Sequence, residues 1–150
     1  ARHVRRLHHL DWSHPVIRNE RGTAAVEFGL ILMPFMLLLL GVIDYGYFFM
    51  VKLAASNAAR EAAREASTFP GACPNGGAKT AGETLAKSRM DNVGQSGNTT
   101  ATVSCASVDG QPEFTADVVV SFPKLVGFVP MPSDGDNARA SGKSTFRGIA

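Results

Sequence analysis

The chain has 150 residues and a formal net charge of +2 at pH 7, with 45% hydrophobic and 19% charged residues. A chain of this length fits one small domain together with a membrane element. So small a net charge gives no argument for binding nucleic acid, and we expect no nucleic-acid partner.

The N-terminal segment holds the basic excess. Residues 1–22 contain five arginines against Asp11 and Glu20, whereas the chain from Lys52 onward has ten Lys or Arg against nine Asp or Glu. Positive charge beside a membrane span marks its cytoplasmic side. We therefore expect a cytoplasmic N-terminus, with the rest of the chain on the other side of the membrane.

A long apolar run follows this basic segment. Phe28–Ile43 is uncharged, and eleven of its residues are Leu, Ile, Val or Phe. The run continues past Asp44 through Tyr45–Val51, which brings it to the roughly 20 residues that a membrane-spanning helix needs. Glu27 and Asp44 lie near its two ends, where a carboxylate costs less than at mid-membrane. Four aromatic residues suit the far interface: Tyr45, Tyr47, Phe48 and Phe49.

A cleaved secretory signal is the competing interpretation of this run. Ala54-Ala55-Ser56 offers small residues for a signal peptidase. The apolar region is longer than the usual signal core, however, and Glu27 stands at its start. Both features favour a retained span.

The sequence after the span predicts that the same helix continues. It is rich in alanine, the best helix former, and nothing stronger than a glycine interrupts it between Phe35 and Thr68. We expect one helix from about Thr23 to Thr68, kinked or locally opened at Pro34 and stopped at Phe69-Pro70-Gly71.

Small residues recur every four positions in the second half of this helix. The stripe consists of Ala54, Ala55, Ala58, Ala59, Ala62, Ala63 and Ala66. It fits packing of the helix against the protein's own folded part, or close contact between helices of different subunits. The sequence leaves both interpretations open. Glu61 and Arg64 are spaced to form an ion pair on the helix surface.

The distal part has shorter apolar runs and more Gly, Ser, Thr, Asn and Pro. We expect a short helix at Thr80–Met90 and a turn at Asp109–Pro112. We expect three strands, at Thr99–Ala106, Phe114–Phe122 and Ala138–Phe146. The third strand should return beside the second. The predicted fold class is α+β: a long N-terminal membrane-spanning helix followed by a small antiparallel sheet.

The two cysteines, Cys73 and Cys105, both lie beyond the span. A cysteine pair outside the cytoplasm is commonly oxidised. We expect a disulfide, with two free buried thiols as the alternative.

No catalytic or cofactor motif emerges, and we expect neither an enzyme nor a bound cofactor or metal. The four histidines, His3, His8, His9 and His14, all lie in the basic segment, where a solvated tail is the simpler interpretation. Gly142-Lys143-Ser144 resembles part of a phosphate-binding loop, but it lacks the upstream glycine and reads as a strand or loop segment.

Gly22 followed by Glu27 and then an apolar helix resembles the processing site of type IV prepilins. The opening of the helix more closely resembles the TadE-like family, the minor pilins or pseudopilins of Flp (tight-adherence) pilus systems. The resemblance rests on the Ala25–Phe28 block, Pro34 and the Asp44-Tyr45-Gly46 step. It is strong over residues 21–60 and weak beyond them.

The resemblance implies a maturation site and an assembly site. A membrane aspartyl prepilin peptidase would cut between Gly22 and Thr23 and release residues 1–22 as a leader. The new amine on Thr23 would pair with Glu27 of the same or a neighbouring subunit, which would set the depth at which the subunit enters an assembly. Phe28 stands where major Flp pilins often have tyrosine, which favours an accessory subunit.

The predicted organisation is a cytoplasmic basic leader (1–22), a transmembrane part of the helix (23–51), its extracytoplasmic continuation (52–69) and a β-rich distal domain (70–150). The expected location is the bacterial inner membrane, with the distal domain periplasmic or extracellular. The resemblance implies pilin subunits, pilus assembly membrane proteins, a prepilin peptidase and the lipid bilayer as partners. The alternative is an uncleaved single-pass anchor that carries an extracytoplasmic binding domain.

Overall fold

The computed structural model of the chain describes residues 20–70, 73, 76–124, 127 and 130–148. Most of the predicted leader, together with the four histidines, lies in residues 1–19 and therefore outside the described residues. Within the described part the fold is α+β, as the sequence predicts.

The elements follow one another as two helices, a short 3-10 turn and four strands. Their bounds are α1 Glu20–Ser67, α2 Gly76–Asp91, the 3-10 turn Ser96–Asn98, β1 Thr99–Val108, β2 Gln111–Pro123, β3 Ser133–Asp134 and β4 Asn137–Arg147. The predicted helices and the three predicted strands are all present, each displaced at its ends by no more than a few residues.

The chain divides into two compact units, residues 1–36 and 37–150. The described part of the first unit is the beginning of α1 alone. The second unit contains the rest of α1, all of α2 and the sheet.

The sheet is antiparallel, with the strand order β1-β2-β4-β3. β1 and β2 form a hairpin in which Val108 pairs with Gln111. The two turn residues, Asp109 and Gly110, have φ angles of 55° and 76°. Positive φ at both central residues is the geometry that a two-residue hairpin requires, and Asp-Gly is well suited to it.

β3 is an addition to the predicted sheet. Pro130, Pro132 and Asp134-Gly135 predict a loop here, and two residues are too few to show the period of a strand. The structure pairs Ser133 with Ala138 and Asp134 with Asn137, and the Arg139 amide donates a 2.7 Å hydrogen bond to the Pro132 carbonyl. This short strand turns the chain into β4.

β2 supplies the centre of the core. Its alternate side chains are buried: Phe114, Ala116, Val118, Val120 and Phe122, each at most 2% exposed. The intervening side chains are half-buried on the other face of the sheet. This period of two is the pattern that identified the strand, and it directs one face of the sheet toward the helices.

The alanine stripe of α1 packs within the same unit as the sheet. Six of its members belong to the hydrophobic core and are at most 1% exposed: Ala55, Ala58, Ala59, Ala62, Ala63 and Ala66. The interpretation that the stripe packs against the protein's own folded part is therefore confirmed for these alanines.

α2 also approaches α1 closely, and a glycine makes this possible. A Cβ atom on Gly82 would stand 2.8 Å from the Ala62 carbonyl oxygen and 3.0 Å from Cγ2 of Val103. Gly82 thus lies where α1, α2 and β1 meet. A side chain there would force the two helices apart.

Candidate processing and assembly site

The predicted processing residues lie in the first turns of α1. Gly22 and Thr23 are both helical and exposed, and α1 runs through the bond between them without interruption. A Cβ atom on Gly22 would meet no other atom within 4 Å. The helix therefore leaves both residues accessible to an enzyme or to another subunit.

Thr23 and Glu27 are one helical turn apart. Residues at this spacing lie on the same face of a helix, with Cβ atoms roughly 5–6 Å apart. Glu27 is exposed, and within the described residues no cationic side chain forms an ion pair with it. An amine created on Thr23 would be within reach of this carboxylate.

Apolar side chains surround Glu27 on the helix surface. Phe28 is 67% exposed, and the large apolar residues that follow it up to Ile43 are all at least 36% exposed. By length and composition, one helix in the described chain could cross a membrane, within Gly22–Ser67. Exposed apolar surface of this extent marks contact with lipid or with another protein.

Pro34 lies inside α1, and the helix is not interrupted there. Proline removes one backbone donor from the helical ladder, and in a membrane neighbouring groups can compensate for that loss. The sequence places this residue correctly inside the helix, although the predicted local opening does not divide the helix into two elements.

Asp44 is buried, with 2% of its surface exposed. It belongs to the second unit, on the side of α1 where Phe48 and Val51 are also buried. The sequence suggests that this acid lies near the headgroups at the end of the apolar run. In the structure the core of the second unit, referred to below as the folded unit, covers Asp44. This cover keeps the carboxylate of Asp44 out of contact with the hydrocarbon of a membrane.

Tyr45 and Gly46 lie on the opposite side. Tyr45 is 42% exposed, and its ring stacks on that of Phe49 with 5.9 Å between centroids. A Cβ atom on Gly46 would meet nothing within 4 Å. The Asp44-Tyr45-Gly46 step is thus divided between a buried face and an open one.

The four aromatic residues predicted to share an interface are divided between a covered side and an open side of α1. Tyr47 packs edge-on against Phe122 with 5.4 Å between ring centroids, and Phe48, 6% exposed, lies 6.3 Å from the same ring. Only Tyr45 and Phe49 remain on the open side. The helical repeat of 3.6 residues turns the two pairs toward different sides, because consecutive residues point about 100° apart. The rings of Phe48 and Phe49 still meet edge to face, with 5.8 Å between their centroids.

A polar contact ties this part of α1 to the segment before β1. The side-chain amide of Gln95 donates a 2.9 Å hydrogen bond to the Tyr47 hydroxyl. Gln95 is 7% exposed, and its backbone carbonyl accepts a 2.6 Å hydrogen bond from the Thr99 hydroxyl. The contact joins Tyr47 of α1 to the segment between α2 and β1.

Glu61 of α1 forms an ion pair with Arg89 of α2, rather than with Arg64 as its spacing allows. A residue of a second helix is the better partner because α2 is packed beside α1. Both side chains remain about half exposed, so the pair contributes at most about 1 kcal/mol.

Cys73 and Cys105 are joined by a disulfide, with their Cα atoms 5.5 Å apart. The bond attaches the segment before α2 to β1, the strand at one edge of the sheet. Two residues earlier on β1, the Val103 amide donates a 3.2 Å hydrogen bond to the Glu83 carboxylate of α2. These contacts occupy part of an edge that could otherwise pair with another strand.

Phe122, Gln95 and Arg89 are contact residues that the sequence does not single out. Phe122 is visible only as one member of an alternating strand. Gln95 lies in a stretch with no period, and its role depends on a partner 48 positions away. In the described residues, no group of three or more His, Cys, Asp or Glu side chains could hold a metal ion.

The comparisons with known proteins match only a part of the chain that lies within α1. No curated protein and no solved structure matches the chain. A family model described as TadE-like protein matches residues 22–64, which is less than a third of the chain and begins at the predicted processing glycine. The TadE-like family suggests a Tad pilus-associated protein. Over residues 22–64 the chain is thus similar to the TadE-like family, as its sequence predicts.

Proposed function

We propose that the protein is a minor pilin or pseudopilin. It inserts in the bacterial inner membrane through α1 and takes part in the assembly or priming of an Flp (Tad) adhesion pilus. The observation that carries this proposal is the TadE-like match over residues 22–64, which covers the exposed apolar part of α1 and much of its buried part.

The charge asymmetry supports the proposed orientation. Five arginines precede the apolar run, and the side after Lys52 is nearly balanced. The N-terminus would therefore remain in the cytoplasm, and the unit that contains the sheet would lie outside it. A disulfide between Cys73 and Cys105 fits an oxidising compartment on that side.

The proposed role of Glu27 follows from its position. A prepilin peptidase cuts between Gly22 and Thr23, and the released amine carries a positive charge. Glu27 pairs with that amine, or with the amine of a neighbouring pilin, and the pairing offsets the cost of a carboxylate at the edge of the apolar segment. The pair closes at one depth only, so it also sets the register of the subunit.

One observation favours the alternative, an uncleaved anchor that carries a binding domain. α1 begins at Glu20 and continues through the Gly22–Thr23 bond, so the structure offers no break at the proposed cut. In that case the basic segment would remain attached and Glu27 would have no new amine nearby.

The experiment is complementation of a strain that lacks the protein. We expect the unaltered chain to restore pili and surface adhesion. Glu27→Ala should reach the inner membrane in equal amounts but fail to restore pili, and Glu27→Asp should restore them partly. Glu113→Ala, which removes an acid on the sheet, is the control and should behave like the unaltered chain. Normal piliation with Glu27→Ala would contradict the pairing role.

A further inference from the structure

Between Val42 and Ala55, α1 has two faces of different character, and both belong to the second unit. One face carries Asp44, Phe48, Val51 and Ala55, which are 2%, 6%, 0% and 0% exposed. Their spacings of four, three and four residues place them in one line along a helix. This face is covered by the core that includes the sheet.

The other face is exposed and apolar. It carries Val42, Phe49, Met50 and Leu53, which are 65%, 53%, 47% and 63% exposed. We refer to these four residues as the open face. Large apolar side chains at such exposure, arranged in a continuous patch, mark a surface that contacts something other than water.

The open face ends abruptly. The next residues in the same direction along α1 are Asn57, Arg60 and Arg64, and all three are exposed and polar. Lys52, also exposed, lies beside Phe49 at a spacing of three residues. A lysine at the border of an apolar surface can extend its ammonium group toward lipid headgroups. The change from apolar to polar therefore falls between Leu53 and Asn57.

The length of the apolar run accounts for such a face. Phe28–Ile43 has 16 residues, whereas crossing the hydrocarbon of a bilayer takes about 20. Glu27 bounds the run on its N-terminal side, so the missing turn comes from the residues after Ile43. There the folded unit already covers one side of the helix, and only the open face offers apolar surface to complete the span.

We propose that the open face lies in the bilayer, in the leaflet on the side of the folded unit, with the lipid–water boundary near Lys52 and Leu53. α1 is thus in contact with lipid on one side and with the protein core on the other over the same three turns. The proposal rests on the membrane insertion of α1 put forward above, and it adds that the part of the folded unit that covers Asp44 and Phe48 lies at the depth of that leaflet.

Lipid fits the open face better than a second copy of the helix does. Helices that associate in membranes use small residues to bring their backbones close together. In α1 the closely spaced alanines are already buried in the core of the same chain. On the open side one small residue, Gly46, lies among the larger side chains of Val42, Phe49, Met50 and Leu53. Side chains of this size suit fluid acyl chains.

The test is quenching of tryptophan fluorescence by brominated phospholipid in vesicles that contain the full-length protein. Trp12 is first replaced by phenylalanine, so that each variant carries one tryptophan. Phe49→Trp reports on the open face, Leu38→Trp on the apolar run, and Asn57→Trp on the same side of the helix beyond the boundary. All three positions are exposed, so the substitutions leave the core unchanged.

We expect lipid brominated high on its acyl chains to reduce the fluorescence of Phe49→Trp about twofold, because apolar faces at the interface reach about 5–10 Å into the bilayer. The fluorescence of Asn57→Trp should remain nearly unchanged. Quenching at position 38 without quenching at position 49 would overturn the proposal and leave insertion intact, with a second protein chain as the occupant. Equal quenching at positions 49 and 57 would overturn the boundary. No quenching at position 38 would overturn insertion itself.

Discussion

Gly142 of β4 lies against the backbone of Ala55 in α1. A Cβ atom on Gly142 would stand 2.5 Å from the Ala55 carbonyl carbon and oxygen, and the same distance from the Cα atom of Ser56. The strand therefore touches the helix backbone directly. Gly142-Lys143-Ser144, which resembles part of a phosphate-binding loop in the sequence, is thus a segment of β4.

The first prediction concerns this contact. Gly142→Ala inserts a methyl group where the neighbouring atoms are backbone and cannot rotate away, so strand and helix must separate. We expect the free energy of unfolding to fall by about 1–3 kcal/mol or more. Chemical denaturation of the protein in detergent micelles measures the change.

Ser141→Ala is the matched control for this variant, because residue 141 is exposed on the same strand. It should change the free energy of unfolding by less than about 0.5 kcal/mol. Equal stability of Gly142→Ala and Ser141→Ala would mean that α1 does not pack on β4 as closely as the structure has it.

The second prediction concerns the hydrogen bond between Gln95 and Tyr47. Tyr47→Phe keeps the ring against Phe122 but removes the acceptor of the buried Gln95 amide. Leaving that group unsatisfied should destabilise the protein by about 1–3 kcal/mol.

A double-mutant cycle separates this bond from ring packing. Gln95→Met removes the amide, so adding Tyr47→Phe to Gln95→Met should cost clearly less than Tyr47→Phe costs alone. Strictly additive effects of the two substitutions would show that the hydrogen bond contributes nothing to stability.

The third prediction concerns the disulfide. Cys73 and Cys105 are separated by 32 positions, and in the chain-entropy model a loop of that length stabilises the folded state by about 3–4 kcal/mol. Cys105→Ser should lose that amount, and Cys73→Ser should lose a similar amount. The double variant should be no less stable than the worse single variant, since both remove one bond. A further loss in the double variant would point to separate roles for the two residues.

The sequence predicts the fold well where a regular hydrophobic pattern extends over many residues. β2 alternates over its whole length, and the Asp109-Gly110 turn has the chemistry of a two-residue hairpin. β3 carries no signal because it has two residues. Gly142 does carry a signal, because a glycine inside a strand often marks a place where another backbone approaches closely. The sequence does not say which backbone.

The candidate site is less visible in the sequence, for two physical reasons. The side chains of Tyr45–Val51 are apolar or aromatic on almost every side of α1, so their pattern does not tell which face the core covers. The difference in burial between Tyr47 and Phe48 on one side and Tyr45 and Phe49 on the other becomes evident only when the sheet is in place. Moreover, the amine proposed as the partner of Glu27 does not exist in the uncleaved chain, so one intact molecule cannot display the pair.

The fourth prediction concerns maturation. Gly22→Leu places a branched side chain at the proposed cut, where the peptidase has to accommodate the backbone closely. We expect processing to be blocked and the full-length form to accumulate in the membrane. Gly29→Ala, which changes another exposed glycine of the same helix, should be processed normally. Unchanged processing of Gly22→Leu would contradict the proposed cutting site.

The most direct test of the account is the N-terminal mass of the protein purified from cells that assemble functional pili. We predict a mature chain that begins at Thr23, with a free amine one helical turn from Glu27. A protein that retains its arginine-rich segment while it supports normal pili would contradict the proposed maturation and the role given to Glu27.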